Sequence, residues 1–296
     1  MEKKTAIVFG LTSNHIFAVA TVIMDLKKYS PLIADEIVIF SDLEIKKRDK
    51  NILTKFFPIK FLVYDFPIEK VNIFNQSTLS YFSKMCFSKY ECLRLLNEYK
   101  TVMWLDYDIV ITRDISDLMQ ESIFGIKMMS SPGCTVLNQL HEPVADYDMY
   151  ATAICASTFV FHDNLKDFNE MYEFCYLKLF KYAKYLHLGE QAIFDFMIQE
   201  FKIEYENIDV NSYSLHPSEC DLSNNAKILH AFGQPKFWNG LNNQQWNDNY
   251  LQWIIMGGTK NRNNIILNKL KMTKNYFLQF LSNKIKLLSY LNTVNL

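Results

Sequence analysis

Apolar runs of strand length alternate with helix-length stretches of three- to four-residue apolar spacing through most of the chain. Residues 5–9 are β-branched and apolar. A polar turn through Gly10, Thr12, Ser13 and Asn14 follows, and then a helix predicted over 15–28. The alternation continues with a strand over 36–40, a helix over 43–56 and a strand over 60–65. Strand, helix, strand in this order predicts an α/β domain with a parallel-rich sheet covered by helices on both faces. Residues 81–96 read as a helix with Tyr81, Met85, Tyr90, Leu93 and Leu96 among its buried residues and Lys84, Lys89 and Arg94 as its polar members. Strands are expected over 101–105, 124–129 and 154–161, with a turn at Ser131-Pro132-Gly133, and Asp114 caps a helical turn over 114–118. The longest helix before the tail spans 164–185; its tyrosines and phenylalanines read as core packing. Gly189 precedes a further helix through Phe201.

Ligands of such sheets bind beyond the carboxyl ends of the strands. Two stretches fall there: Thr12 to His15, and Asp106-Tyr107-Asp108. In an extended segment alternate side chains share a face, so Asp106 and Asp108 are expected to project together where their strand stops. Paired carboxylates repel unless a cation lies between them, and a hard divalent ion suits oxygen ligands. An acidic turn has the same short pattern, so the reading depends on what accompanies it. Downstream, a short strand ends at His230, Gly233 and Pro235 make a turn, and Lys236 follows. Imidazole, lysine and loop N–H groups together can hold a phosphate beside a metal. Glu190 and Gln191 open their helix, where an acidic side chain also favours the helix dipole. No Gly-x-Gly-x-x-Gly or Walker lysine loop is present, which sets the dinucleotide and P-loop readings aside.

At 296 residues and 49% hydrophobic content the chain can bury a large core, and no apolar run has membrane-spanning length. Residues 6–11 are too short for a signal-peptide core, so a cytoplasmic protein is expected. Six scattered cysteines without a Cys-x-x-Cys pair read as reduced thiols. The net charge of -1 hides an asymmetry: residues 249–296 hold seven basic residues and no acidic one. From Asn275 onward Phe277, Phe280, Leu281, Ile285, Leu288 and Leu291 recur at helical spacing, which predicts a basic amphipathic helix. Such a helix suits an anionic membrane surface, or else packing on protein. The basic charge comes with no nucleic-acid motif, so no nucleic-acid partner is expected.

An N-terminal strand with a short polar loop, Leu105-Asp106-x-Asp108, the following Asp114-Ile115-x-x-Leu118, Glu190-Gln191 opening a helix, and His230-x-x-Gly233-x-x-Lys236-x-Trp238 come in this order. The combination resembles glycosyltransferase family 8, which includes bacterial lipopolysaccharide α-galactosyl- and α-glucosyltransferases and glycogenin. The resemblance spans roughly residues 6–238.

It implies a GT-A type, Rossmann-like mixed sheet flanked by helices over 1–248, with a basic helical tail over 249–296. By the same resemblance, Asp106, Asp108 and His230 are the ligands of manganese, with magnesium as the alternative. Thr12, Asn14, His15, Lys89, Asp106, Tyr107, Gly233 and Lys236 are placed at the nucleotide-sugar donor. Glu190, Gln191 and Lys236 are placed at the chemistry, Gln191 nearest the reacting face of the sugar. The activity implied is retaining transfer of a hexose from a UDP-sugar, with galactose or glucose favoured and N-acetylated hexosamines as the alternative. The acceptor would be an oligosaccharide or lipid-linked glycan of bacterial surface polysaccharide or lipopolysaccharide, at the inner face of the cell membrane. Two departures bear on the donor: Thr12 and Ser13 stand where acidic residues often meet uracil, and Cys155 stands where an asparagine usually meets the sugar. A nucleotide-sugar-binding module without turnover, or a metal-dependent sugar nucleotidyltransferase, are the alternatives.

Overall fold

A computed structural model of the chain describes residues 3–67, 73–75, 78, 82–219 and 225–261. Seven strands form the main sheet: β1 (Lys4–Leu11), β2 (Glu36–Ser41), β3 (Ile59–Val63), β4 (Tyr99–Leu105), β6 (Ile126–Thr135), β7 (Thr152–His162) and β8 (Glu206–Asn207). Their spatial order is β3-β2-β1-β4-β7-β6-β8. Pairing is parallel from β3 through β2 and β1 to β4, then antiparallel across β4, β7 and β6. The parallel-rich expectation therefore holds for the N-terminal half of the sheet and gives way to a mixed one. Two further strands, β5 (Ile109–Ile111) and β9 (Ile228–His230), pair antiparallel as a separate ribbon.

Strand alternation sorts the apolar residues onto two faces. Ala6, Val8, Val102 and Trp104 face one core; Ile7, Phe9, Met103 and Leu105 face the other. The first core is covered by α3 (Glu91–Leu95), α4 (Phe168–Tyr182) and α5 (Gln191–Phe201), with Tyr90, Phe159 and Phe194 at its centre. The second is covered by α1 (Ile16–Tyr29), α2 (Lys47–Leu53) and α7 (Gln244–Ile255), where Phe17, Trp246 and Tyr250 pack edge to face and face to face. A short helix, α6 (Val210–Tyr213), lies next to the ribbon.

Several elements differ from the sequence reading, each for a local reason. The stretch expected as a helix over 81–96 is a 3-10 turn, Lys84–Tyr90, leading into the short α3. Ser83 enters it at φ 59 with its hydroxyl accepting from Met85 N–H, and the Ser88 hydroxyl donates back to the Met85 carbonyl at 2.6 Å. Tyr81 lies outside the described residues. The turn expected at Ser131-Pro132-Gly133 is instead a break within β6, where the pairing with β7 slips between Ser130 and Thr135. Pro132 brings no N–H and Gly133 takes φ 81, so neither can continue a regular ladder. The helix expected over 43–56 forms only over Lys47–Leu53.

The boundary expected at 248 falls inside α7. That helix packs on α1, Trp253 is fully buried, and residues to Asn261 return to the body through Asn261 N–H to Tyr250 Oη at 2.9 Å. The apolar stripe from Asn275 lies outside the described residues, and among the described ones no helix is long and apolar enough to cross a membrane. Cys86, Cys92, Cys134, Cys155 and Cys175 are free thiols, and Cys220 is outside the described part.

One buried carboxyl ties three of these elements together. Asp25 of α1 is 1% exposed and accepts from Ile111 N–H at 3.1 Å, Gln245 Nε2 at 2.6 Å and Asn249 Nδ2 at 2.6 Å. Burial pushes it up to about 7 despite these three donors, which pull the other way. A carboxyl raised on folding stabilises the native state while it keeps its proton, so its contribution is complete below about pH 4 and is lost as pH rises to about 7. Urea denaturation at about pH 5 and about pH 7.5 should show the native chain losing on the order of 2 kcal/mol more stability over this interval than Asp25→Asn. Equal losses in the two proteins would contradict the assignment.

Candidate active site

The chain bends at 106–108, between the end of β4 and the start of β5, so the two aspartates do not sit on one extended strand as expected. Asp106 N–H donates to the Ser157 carbonyl of β7 at 2.9 Å, and the Asp108 carbonyl accepts from Ala231 N–H at 2.9 Å. The pair therefore bridges the main sheet and the β5–β9 ribbon. In that ribbon Ile109 lies opposite His230, which brings the distant imidazole against the acidic pair. His230 Nε2 lies 3.3 Å from Asp108 Oδ1 and 4.0 Å from Asp106 Oδ2. The other ring nitrogen, Nδ1, is held by the Ser214 hydroxyl at 2.9 Å.

These three side chains each place one ligand atom within 4.8 Å of the others, the one such group among the described residues. The donor set fits a hard divalent cation: two carboxylates, and an imidazole whose far nitrogen is fixed by a hydroxyl so that the near one faces the carboxylates. Oxygen ligands with a single nitrogen suit manganese or magnesium better than zinc. Burial by itself would raise the Asp108 carboxyl, but His230 and then Lys236 override it and hold it well below the usual range.

All of this lines a cavity of about 770 Å³ whose walls also include Lys89, Tyr107, Glu190, Gln191, Gly233 and Lys236. Lys89 is more than the polar helix member the pattern predicted. It is 6% exposed, and its ammonium meets Glu190 Oε1 at 2.6 Å, the Ala156 carbonyl at 2.8 Å and Asp106 Oδ1 at 3.1 Å. Three acceptors match the three N–H donors of a lysine, so Lys89 organises the site and has no hydrogen left for a ligand. Burial opposes its charge, but Asp106 and Glu190 outweigh that and raise it. Glu190 in turn is pushed up by burial, with Lys89 pulling against it. It is 2% exposed and locked in this pair, which goes beyond the dipole role open to an acid at a helix start.

Lys236 reaches the cavity but pairs with Asp108 and donates to the Ala231 carbonyl at 2.8 Å. Gln191 Oε1 accepts from Ala156 N–H at 3.1 Å, which leaves its amide NH2 as the free end. Thr12, Asn14 and His15 are not in the cavity wall. They form a hydrogen-bonded group of their own, Thr12 Oγ1 to Asn14 Oδ1 at 2.7 Å and to His15 Nδ1 at 2.9 Å. The group joins the cavity through aromatic contacts of the His15 ring with Tyr107 and Trp238, at 5.7 Å and 5.6 Å between centroids.

Sequence reasoning missed Ser214, which fixes the imidazole, and Trp104, whose Nε1 donates to Asp106 Oδ1 at 2.7 Å. The second was open to view: Trp104 and Asp106 are two apart on a strand end and so share a face. Nothing in the polar stretch around Ser214 announces it. Gly10 also acts here, since a Cβ at that position would lie 2.1 Å from Ser88 Oγ and 2.6 Å from the Trp104 ring. Only a residue without one lets β1 pass so close to the turn that carries Lys89.

Residues 6–128 match the family model for glycosyl transferase family 8. No curated protein matches the chain by sequence. Among solved structures, the galactosyltransferase LgtC, crystallised with donor and acceptor sugar analogs, superposes with a TM-score of 0.62 at 10% identity, over 85% of this chain and 100% of that one. The bifunctional glycosyltransferase WbbM gives 0.60 at 12% identity, over 88% of this chain and 52% of its own length. GlyE of Streptococcus pneumoniae TIGR4 gives 0.58 at 14% identity, over 86% and 62%. At such identities the likeness is one of fold, and the fold is GT-A. Residues 6–128 thus match the family 8 glycosyltransferase model, and they do so within a GT-A fold that the rest of the chain completes.

Proposed function

We propose that this chain transfers a hexose, galactose or glucose, from a UDP-sugar to a glycan or lipid-linked acceptor with retention of anomeric configuration. The observation that carries the proposal is that Asp106, Asp108 and His230 converge in the wall of the same cavity as Glu190 and Gln191. Asp106, Asp108 and His230 would hold manganese or magnesium, which when bound neutralises charge on a departing diphosphate.

The protein's own groups supply the rest. Lys236 keeps an ammonium at the cavity wall beside Asp108, where a diphosphate could take its charge. Buried Lys89 and Glu190, with the half-buried Asp106, form an ion-paired network already in place before a sugar binds. Gln191 offers an amide donor and no ionisable oxygen, so a covalent glycosyl–carboxylate intermediate has no nucleophile at that position. Same-face displacement fits better. The acceptor oxygen bonds to the anomeric carbon as the sugar–diphosphate bond breaks, and the acceptor's proton passes to the leaving phosphate oxygen.

The seven basic residues from 249 onward, against an acidic remainder, favour a place in the cytoplasm at the anionic inner face of a bacterial membrane, in surface polysaccharide or lipopolysaccharide synthesis.

A panel of UDP-sugars with manganese and a glycan mixture, read by UDP release and product mass, should give turnover with UDP-galactose or UDP-glucose. Asp108→Ala should lower it more than about a hundredfold with the circular dichroism unchanged. Near-native turnover by this variant would sink the metal-dependent reading, and release of pyrophosphate from UTP would point to sugar activation instead. Ending the chain after Asn261, which leaves α7 with the body, should abolish co-sedimentation with anionic vesicles; undiminished sedimentation would remove the membrane proposal.

A further inference from the structure

β7 runs past the end of its neighbour. Its last partner on β4 is Thr158, opposite Leu105, yet β7 begins at Thr152. Among the described residues, the edge of β7 before Thr158 therefore has no strand beside it on that side. Unpaired N–H and C=O groups at such an edge need other partners once buried, and here side chains provide them. Ile154 N–H donates to Asp195 Oδ1 at 3.1 Å, and the Ile154 carbonyl accepts from Gln139 Nε2 at 2.9 Å. Two residues on, Ala156 N–H donates to Gln191 Oε1 and the Ala156 carbonyl accepts from Lys89.

The spacing explains why this works. Gln191 and Asp195 stand about one helical turn apart on α5, roughly 6 Å along its axis. Ile154 and Ala156 are two apart on a strand, roughly 6.7 Å, and present their polar groups on the same edge. One helix face thus reads one strand edge. Between the two clamped residues, Cys155 projects into the cavity wall, while Ile154 and Ala156 point into the core at 1% and 0% exposure.

Gln191 and Lys89 belong to the cavity already described, but Asp195 and Gln139 do not line it. They are 4% and 2% exposed and hold β7 from behind. Asp195 Oδ2 is buried without a hydrogen-bond partner, so an ionised Asp195 would rest its charge on the Ile154 bond; burial pushes the carboxyl well above its usual range, against the pull of Ile154 N–H and Gln139. What the geometry takes from this side chain is one acceptor oxygen, Oδ1, on Ile154 N–H. We infer that Asp195, seconded by Gln139, is a positioning residue for the donor sugar: it fixes Ile154, and through it the Cys155 floor of the cavity, in the place that the sugar meets. The placement of a sugar there rests on the proposed transferase activity; the fixing of the floor does not.

The test separates these two. Asp195→Leu removes the acceptor at similar volume, whereas Asp195→Asn keeps an oxygen for Ile154 N–H and carries no charge. Labelling of Cys155 by N-ethylmaleimide, read by peptide mass spectrometry with Cys134 as internal reference, should accelerate about tenfold or more in Asp195→Leu and stay near native in Asp195→Asn. With whichever UDP-sugar turns over, KM for the donor should rise by a similar factor in Asp195→Leu, with kcat less affected and with rescue in Asp195→Asn. Gln139→Met frees the Ile154 carbonyl and should accelerate labelling as well, so the inference stays testable if Asp195→Leu fails to fold. Native labelling rates in both Asp195→Leu and Gln139→Met would overturn it, as would equal acceleration in Asp195→Asn and Asp195→Leu. Accelerated labelling with no turnover in any variant or in the native chain would leave the clamp standing and remove the transferase reading instead.

Discussion

The pairing of β5 with β9 is the constraint on which the site depends. Residues 106–108 leave the main sheet at the end of β4, and without an anchor beyond that point two carboxylates would simply face water and repel. The ribbon supplies the anchor. Ile109 lies opposite His230, Ala231 N–H closes on the Asp108 carbonyl, and Thr112 N–H donates to the Lys227 carbonyl at 2.9 Å. The ribbon stays in place because Ile109, Val110, Ile111 and Ile228 are all at most 1% exposed, so separating the strands would expose apolar surface as well as break the ladder. Apolar burial thus sets the position of a polar centre: the imidazole of His230 arrives beside Asp108 because β9 has nowhere else to pack, and the loop that leaves β9 brings the Lys236 ammonium to the same carboxylate.

A second balance operates on the other side of Asp106. Lys89 stands between Asp106 and Glu190, and its third hydrogen bond ends on the backbone of β7. Charges this deep are tolerated only when paired and hydrogen-bonded. The two cations, Lys89 and Lys236, divide the acidic groups between them, and the cavity is lined by side chains whose partners are already chosen. Such a wall is preorganised, which is the property that electrostatic catalysis requires.

Much of this was legible in the residues themselves. The alternation of strand and helix up to Leu105 reproduces the parallel half of the sheet, and the order of Asp106, Asp108 and His230 in the sequence already marks the three side chains that the fold brings together. What was hidden has a common cause. The helical periodicity of 81–96 set Lys89 among the polar members of a helix and showed nothing of its burial, because a pattern read along one segment cannot see two carboxylates arriving from elsewhere in the chain. The bend at 106–108 was hidden because it is imposed by Ser157 and Ala231 and not by its own residues. The same holds for the clamp on β7: Asp195 looks like an ordinary helical acid until the slipped pairing of β6 and β7 and the early end of β4 reveal an edge to be satisfied.

The remoteness of β9 from β5 along the chain also governs when the centre comes into being. During synthesis the parallel strands and both aspartates leave the ribosome early, with much of the sheet able to form behind them. The imidazole emerges only after β8 and α6, and Gln245, which bridges Asp25 and the Ile111 carbonyl, emerges later still. A nascent chain therefore makes Lys89, the partner of Asp106, before the acidic pair, but carries Asp108 through β6, β7 and β8 before His230 and Lys236 exist, so the centre can close only once β9 has been made.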